Sequence, residues 1–303
     1  MGTPREVADG VWMLRTVLVN VFFVRVEAGG WVLVDAGLTG SARAIRRAAA
    51  ALFGSSPPLG IVLTHGHFDH VGGLARLLEA WDVPVYAHAF ELPHLTGRLA
   101  YPRPDPTVGG GLIAWSSFLF PRGPYDFGTR LIALPRGGRI PIAPDWVALH
   151  TPGHTAGHVS LLRPGDGVLI AGDAVTTTRQ ASATSVAVQR TELNGPPAYF
   201  TTDWDAARWS VQRLAAMRVD TLLAGHGQPM TGAAMRLDLR NLAEYFDVRA
   251  RPRRGRYVEH DEGERAFERR WLRPLITSLL AGAGTALVLR FLGGGRHVGA
   301  QPA

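Results

Sequence analysis

The sequence predicts an α/β fold, because apolar segments with the length of strands alternate with segments that have the pattern of helices. Three strands come first, at residues 11–15, 19–26 and 31–35, with no room for helices between them, which indicates antiparallel pairing. A strand at residues 61–63 between two predicted helices then begins the alternation. The length of 303 residues and the hydrophobic share of 46% allow such a fold a large core.

The remaining elements follow from periodicity and from helix-start signals. Helices are predicted at residues 42–53, behind Ser41 as N-cap, and at residues 69–80, and a strand at residues 83–86 follows. Further strands are predicted at 146–150, 159–162, 168–171 and 221–224, and further helices at 203–217 and 232–248. Proline and glycine leave little room for regular elements at residues 96–144, which predicts a lid or substrate region. The main domain is therefore placed at residues 1–248.

Three histidines and an aspartate lie within six positions directly after the strand at residues 61–63. Residues 65–70 read HGHFDH. With 11 histidines in the chain, this pattern is expected by chance on the order of once in a thousand such chains. His65 and His67 can point at one metal from an extended turn. Asp69 and His70 open the next predicted helix and can face a second metal.

Three more segments place a histidine or an aspartate after an apolar strand, and they contribute His154, Asp173 and His226. Ligands gather at the carboxyl ends of strands in open α/β sheets, so these side chains are expected to join the first cluster. Seven candidate ligands are more than one Zn ion can use, and two metals that share a carboxylate account for them better. Imidazole and carboxylate suit Zn, Mn or Fe, and the chain has no Cys to favour a softer metal.

With these residues in place, the sequence resembles the metallo-β-lactamase-fold hydrolase superfamily from about Gly10 to Val248. The resemblance implies an αββα sandwich with two divalent metals, for which Zn is the first expectation, at one edge. The implied ligands are, for the first metal, His65, His67 and His154, and for the second, Asp69, His70 and His226. Asp173 is similar to the family's bridging aspartate, and Asp35 resembles the carboxylate that supports the histidine loop.

The presence of Asp173 also indicates which branch of the superfamily the sequence resembles. Lactam-cleaving members usually lack the bridging aspartate, so the sequence is closer to glyoxalase II-like thioesterases and to lactonases. The implied reaction is hydrolysis of a small ester, lactone or thioester by hydroxide formed between the metals, with Asp69 as the proton acceptor. The alternatives are a phosphodiesterase or nuclease with the same two metals, an iron-dependent sulfur dioxygenase, and a non-catalytic membrane-associated binding protein.

Position in the sequence suggests which residues face the substrate. The expected apolar walls are Phe68 and four aromatic residues of the lid region, Tyr101, Trp115, Phe118 and Tyr125. The expected anion clamps are Arg122 and Arg190. Core packing explains the lid aromatics equally well.

The C-terminal part of the sequence differs in character from the rest. Residues 249–274 read as a basic linker and residues 275–292 as an apolar tail helix, in which residues 275–289 carry no charge. This run is shorter than the roughly 20 residues of a membrane span, so a membrane anchor and a helix docked on protein both stay open. The N-terminus has no secretory signal pattern, and the expected location is cytoplasmic, with the tail as a candidate anchor to the inner face of the membrane.

The formal net charge of +7 is concentrated in the tail. Residues 246–303 hold 11 of the 32 arginines and 6 of the 25 acidic residues, whereas residues 1–245 are within two charges of neutrality. Nucleic acid is therefore an unlikely partner, and the expected partners are a small-molecule substrate and, through the tail, anionic lipid. The sequence does not indicate an oligomeric state.

Overall fold

Two β-sheets form the centre of the fold in the computed structural model, which describes residues 2–258. The predicted tail helix at residues 275–292 and residues 259–274 of the predicted linker lie outside this range. The strands are β1 (Arg5–Ala8), β2 (Val11–Thr16), β3 (Val19–Arg25), β4 (Trp31–Val34), β5 (Ile61–Val62), β6 (Val85–Ala87), β7 (Leu131–Ala133), β8 (Val147–His150), β9 (Val159–Arg163), β10 (Val168–Gly172), β11 (Thr221–Ala224) and β12 (Met230–Thr231). The helices are α1 (Ala42–Phe53), α2 (Phe68–Val71), α3 (Leu74–Ala80), α4 (Leu92–Leu95), α5 (Leu112–Trp115), α6 (Ala183–Val188), α7 (Trp204–Ala215), α8 (Gly232–Glu244) and α9 (Phe246–Arg249), and short 3-10 helices lie at Pro106–Val108, Ser116–Leu119 and Gly128–Arg130.

Within residues 2–258, the first sheet contains β1 to β7 in sequence order, and the second has the order β12-β11-β10-β9-β8. In the first sheet β1 to β4 pair antiparallel and β4 to β7 pair parallel. A parallel pair requires a crossover, which contains α1 between β4 and β5 and α3 between β5 and β6. In the second sheet β10 and β11 are parallel, whereas the other neighbours are antiparallel.

Three buried apolar clusters lie between the layers of the fold. The central cluster contains Phe22 of the first sheet and Ile170 of the second, so the two sheets pack face to face. Another joins the first sheet to α1 and α3 and includes Ile45 of α1 and Leu77 of α3. The third joins the second sheet to α7 and α8 through Val211 and Leu239. The order of layers confirms the predicted αββα sandwich.

Some predicted elements differ from the structure for identifiable reasons. The single helix predicted at residues 69–80 was wrong: α2 ends at Val71 and α3 begins at Leu74. A Cβ on the intervening Gly72 would lie 2.3 Å from the backbone nitrogen of Thr39, so this glycine permits a close approach of two chain segments. Ser41 precedes α1 as predicted, but its hydroxyl makes no capping hydrogen bond.

The region at residues 96–144 is more regular than its proline and glycine content predicts. It contains β7, which pairs with β6 and forms the edge of the first sheet, as well as α5. The strands β1 and β12 and the helix α6, which are all short, were not predicted either. Short elements stabilised by tertiary pairing leave little periodicity in a sequence.

The first residues of the predicted linker contact the domain. The Tyr257 hydroxyl donates a hydrogen bond to the carbonyl oxygen of Arg103 at 2.7 Å, and the backbone N–H of Arg256 donates to the Asp105 carboxylate. No helix within residues 2–258 has the length and apolar character needed to cross a membrane.

Candidate metal centre

Four strands run into turns that carry the candidate ligands. The segment with His65, His67, Asp69 and His70 follows β5, and the other candidates are His154 after β8, Asp173 after β10 and His226 after β11. The structure brings all seven predicted side chains into one cluster. The imidazoles and Asp173 are buried, and the side chain of Asp69 is 14% exposed. The cluster is thus almost inaccessible to solvent, and Asp69 lies at its accessible side.

The ligand atoms of this cluster form two groups that a third group, His65, His70 and Asp173, connects. Within each group the atoms lie within 4.8 Å of one another; the first contains His65, His67 and His154, and the second contains Asp69, His70 and His226. Asp173 lies between the groups, because its Oδ2 is 3.5 Å from Nε2 of His154 and 3.2 Å from Nε2 of His226. The Asp173 carboxylate is thus close to histidines of both groups.

Four of the imidazoles use Nδ1 for a contact with the protein and direct Nε2 into the cluster. The Nδ1 partners, at 2.8 to 3.3 Å, are the Asp35 carboxylate for His70, the Leu18 carbonyl for His226, the Thr64 hydroxyl for His65 and the Thr201 hydroxyl for His154. Such contacts fix the tautomer and orientation of metal-ligating histidines. His67 differs, because its Nδ1 lies 3.0 Å from Nε2 of His154.

Three buried polar atoms of the cluster have no hydrogen-bond partner among the described residues. They are Nε2 of His65, Nε2 of His70 and Oδ1 of Asp173. An unsatisfied buried polar atom costs about 1–3 kcal/mol, and a bound cation would satisfy all three. Imidazole nitrogens and carboxylate oxygens are the usual ligands of Zn, Mn and Fe. The residues present therefore fit divalent metal ions.

Burial keeps the first group of histidines in the protonation state that binds metal. It lowers the pKa of His65 and of His67 well below the usual range, and it lowers the pKa of His154 to about 4. These imidazoles are neutral at pH 7 and offer a lone pair to a cation.

The second group is dominated by its carboxylates. Burial alone would raise the pKa of Asp173, but His226 and His70 hold it well below its ordinary value. Burial likewise opposes protonation of His70, yet Asp173 and Asp35 raise the pKa of His70 well above its ordinary value. A metal ion competes with a proton at this histidine, so metal affinity is expected to rise with pH.

Asp35→Asn should weaken metal binding by about 10- to 100-fold without disturbing the fold. The Asp35 carboxylate accepts hydrogen bonds from the backbone N–H and the hydroxyl of Thr64, both at 2.8 Å, and contacts Nδ1 of His70. The φ angle of Asp35 is 61°, which asparagine also tolerates, so the substitution changes charge rather than backbone. Calorimetric titration with Zn would measure the loss, and an unchanged affinity would contradict this role.

Two further buried residues support the ligand loops. Nε2 of His158 accepts a hydrogen bond from the backbone N–H of Asp173 at 2.9 Å, and burial lowers the pKa of His158 to about 3. The Asn20 side chain donates to two carbonyl oxygens of the loop that carries His226, both at 2.9 Å. Sequence reasoning missed Asn20, because its partners lie more than 200 positions away.

An apolar wall stands beside the first group of histidines. The ring of Phe200 stacks on the ring of His67, with 4.5 Å between centroids. Phe68, a predicted substrate residue, packs against Phe120 and Phe200. Phe120 and Phe200 carry no local signal in the sequence that marks them for this position.

Two predicted tyrosines lie deeper than the other predicted aromatic residues of the lid region, Trp115 and Phe118. Tyr101 is 3% exposed and its hydroxyl donates a hydrogen bond to Glu91. The Tyr125 hydroxyl is buried and has no hydrogen-bond partner among the described residues. Burial, with a further contribution from Asp69, raises the pKa of Tyr125 to about 12.

The other predicted substrate residues are nearer to the surface. Trp115 and Phe118 are 63% and 56% exposed and contact each other edge to face. The Arg122 guanidinium donates to the carbonyl oxygen of Tyr101 at 3.0 Å, and Arg190 is exposed. Within residues 2–258 these four side chains make no hydrogen bond or ring contact with a ligand residue, whereas Phe68 packs against Phe200, which stacks on His67.

Comparison with known proteins agrees with the geometry. The sequence model of the metallo-β-lactamase superfamily matches residues 14–226. A probable metallo-hydrolase of Bacillus subtilis, YflN, is 46% identical over 245 residues, which cover 80% of this chain and 93% of that protein. A hydroxyacylglutathione hydrolase of Methylobacillus flagellatus is 34% identical over 114 residues, which cover 37% of this chain and 32% of that protein.

Solved structures show the same fold. A metallo-β-lactamase of Cronobacter sakazakii is 25% identical, with a TM-score of 0.52 over 74% of this chain and 78% of that one. A metallo-β-lactamase family protein of Thermus thermophilus is 21% identical, with a TM-score of 0.57 over 80% of this chain and 81% of that one. The chain is thus a metallo-hydrolase, and it belongs to the metallo-β-lactamase superfamily.

Proposed function

We propose that this enzyme is a dinuclear metal-dependent hydrolase that cleaves a small ester, lactone or thioester. The observation that carries the proposal is the position of Asp173, whose carboxylate lies within 3.6 Å of His70, His154 and His226. These histidines belong to both ligand groups, so one carboxylate can serve two ions. Zn is the first expectation, and Mn and Fe accept the same ligands.

The bound ions would supply a water of lowered pKa and an electrophile for the carbonyl oxygen. Asp69 is the group of the chain placed to handle the proton. Its carboxylate lies at the accessible side of the cluster, 3.4 Å from Nε2 of His226. Burial raises the pKa of Asp69, which suits a carboxyl group that takes a proton from the attacking water and returns it to the leaving group.

The surroundings of the cluster favour an uncharged, partly apolar substrate. Phe68, Phe120 and Phe200 form an apolar wall, which excludes water and can hold an acyl group. The unpaired hydroxyl of Tyr125 can donate a hydrogen bond to a polar atom of the substrate. The similarity to hydroxyacylglutathione hydrolases, although it covers 37% of the chain, supports the thioester among the candidate substrates.

A substrate panel on Zn-loaded protein tests the proposal. The panel contains a lactone, a carboxylic ester, a thioester, a phosphodiester and a lactam, each with and without a chelator. We expect chelator-sensitive hydrolysis of at least one of the first three. Turnover of the phosphodiester alone would replace the proposal with the phosphodiesterase alternative, and turnover of the lactam alone would also contradict it.

Phe120→Ala should raise KM for the preferred substrate about 10-fold and change kcat much less. Loss of a buried aromatic contact costs on the order of 1.5 kcal/mol, and this contact is made equally in the ground state and the transition state. Phe118→Ala is the matched control, because Phe118 is 56% exposed and is expected to leave both constants unchanged. Steady-state kinetics would measure both variants, and equal effects would contradict the assignment of the wall.

A further inference from the structure

A buried carboxylate outside the ligand cluster contacts both loops that carry the first group of histidines. Glu91 is 1% exposed and directly precedes α4. Its Oε2 accepts hydrogen bonds from the backbone N–H of Gly66, at 3.0 Å, and from the Tyr101 hydroxyl. Its Oε1 accepts hydrogen bonds from the Thr155 hydroxyl at 2.7 Å and from the backbone N–H of Gly157 at 2.9 Å.

These contacts connect two loops that are distant in sequence. Gly66 lies between His65 and His67, and Thr155 directly follows His154. One oxygen of Glu91 therefore binds the loop after β5, and the other binds the loop after β8. A carboxylate has about four acceptor positions, and the four donors fill them.

The fit around the carboxylate is tight. A Cβ on Gly157 would lie 2.7 Å from Oε1 of Glu91, and a Cβ on Gly66 would lie 2.3 Å from the Tyr101 hydroxyl oxygen. Both loops reach Glu91 because these two positions have no side chain. Burial and the charge of Glu91 raise the pKa of Tyr101 well above its usual range, so the phenol remains a donor.

We infer that Glu91 is a positioning residue of the metal centre, which sets the distance between the loop of His65 and His67 and the loop of His154. The inference rests on the proposed function for the existence of the metals. Glu91 makes no hydrogen bond to a candidate ligand side chain, so it acts through the loops that carry the ligands. Asp35 contacts the second group directly, at Nδ1 of His70, and reaches the first group only through the Thr64 hydroxyl, which contacts Nδ1 of His65. Glu91 therefore supports the first group, whereas Asp35 acts chiefly on the second.

Glu91→Gln tests this role with almost no change in shape. An amide has one acceptor oxygen, and its NH2 group must replace either Oε1 or Oε2. Each of those oxygens faces a backbone N–H, that of Gly157 or that of Gly66, and a backbone N–H cannot become an acceptor. Either orientation of the amide therefore breaks the connection to one of the two loops.

The experiment is a titration of metal-free protein with Zn by calorimetry, and with Co(II) by its visible absorption. In Glu91→Gln we expect the affinity of one of the two sites to fall about 10- to 100-fold, with the other site within about twofold of wild type. Asp35→Asn should weaken chiefly the opposite site, where the carboxylate contacts Nδ1 of His70 directly. The two single variants are therefore compared site by site, because only Glu91→Gln is expected to weaken one site and spare the other.

Matched controls separate positioning from general stability. Glu79→Gln changes an exposed glutamate, 60% exposed beside Arg76, and should leave both affinities unchanged. Thr155→Val and Tyr101→Phe each remove one hydroxyl that donates to Glu91, and neither introduces a new polar group. These variants can therefore test the role of Glu91 if Glu91→Gln does not fold. Each should weaken the same site as Glu91→Gln, by about threefold.

Unchanged affinities in Glu91→Gln would overturn the inference. Equal weakening of both sites, with a lower free energy of unfolding of the metal-free protein in urea, would overturn it as well, because it would indicate a packing role. Failure of the proposed function has a different signature. A wild-type protein with one tight metal site would contradict the dinuclear proposal, and the effect of Glu91→Gln on that site would still decide the role of Glu91.

Discussion

Asp173→Asn should lower kcat by at least about a thousandfold and reduce the number of tightly bound metal ions from two to one or none. Metal-assisted hydrolysis depends on several kcal/mol of charge stabilisation, and about 4 kcal/mol corresponds to three orders of magnitude in rate. The amide keeps the shape of the carboxylate, and the backbone N–H that donates to His158 is untouched. The effect can therefore be assigned to the lost charge.

The size of this effect follows from the charge balance of the cluster. Two divalent ions bring four positive charges into a site where, of the seven predicted ligands, only Asp69 and Asp173 carry negative charge. Asp173→Asn removes half of this compensation, and an uncompensated buried charge costs several kcal/mol. Asp173 also contacts histidines of both ligand groups, so the substitution is expected to weaken the binding of both ions.

Metal analysis of the purified variant and its kcat on the best substrate of the panel are the measurements. Asp166→Asn is the matched control, because Asp166 lies in the turn between β9 and β10, seven positions before Asp173, and pairs with Arg163 at the surface. This control should keep both ions and full kcat. A variant of Asp173 that retained two ions and more than about a tenth of kcat would contradict a shared carboxylate.

The residues of the candidate site could be predicted from the sequence where they come directly after the ends of strands. His65, His67, Asp173 and His226 each come within a few residues of an apolar strand, and the sheet order then brings them together. Glu91 has no such signal, because its role depends on four donors from separate segments. A lone glutamate in a sequence is usually solvated, and only the folded chain reveals that this one is buried.

The same distinction holds for the fold. Nine of the twelve described strands, β2 to β6 and β8 to β11, and the helix α1 were predicted from apolar periodicity, which is a local property of the chain. The end of α2 and the pairing of β7 were missed, because they depend on contacts with distant segments. Gly72 is needed where Thr39 approaches, and β7 forms its hydrogen bonds with β6, more than 40 positions earlier.

The metal-free protein should lose stability in acid, and His158→Gln should remove a defined part of that loss. The pKa of His158 is about 3 in the folded protein, because of burial, against about 6.5 in an unfolded chain. Between these values the unfolded chain binds the extra proton, so the stability that this histidine contributes is present above about pH 6.5 and is lost as pH falls. At about pH 5 the loss from this one histidine is about 2 kcal/mol.

Glutamine can keep both hydrogen bonds of His158, because its amide oxygen can accept from the backbone N–H of Asp173 and its NH2 group can donate to Thr151. The other titrating groups are present in both proteins, so they cancel in the difference. Urea unfolding of chelator-treated wild type and variant at about pH 7.5 and about pH 5 should therefore show a loss about 2 kcal/mol smaller in the variant. Identical losses would mean that the pKa of His158 in the folded protein is close to its ordinary value. The hydrogen bond from the backbone N–H of Asp173 would then not depend on a neutral histidine.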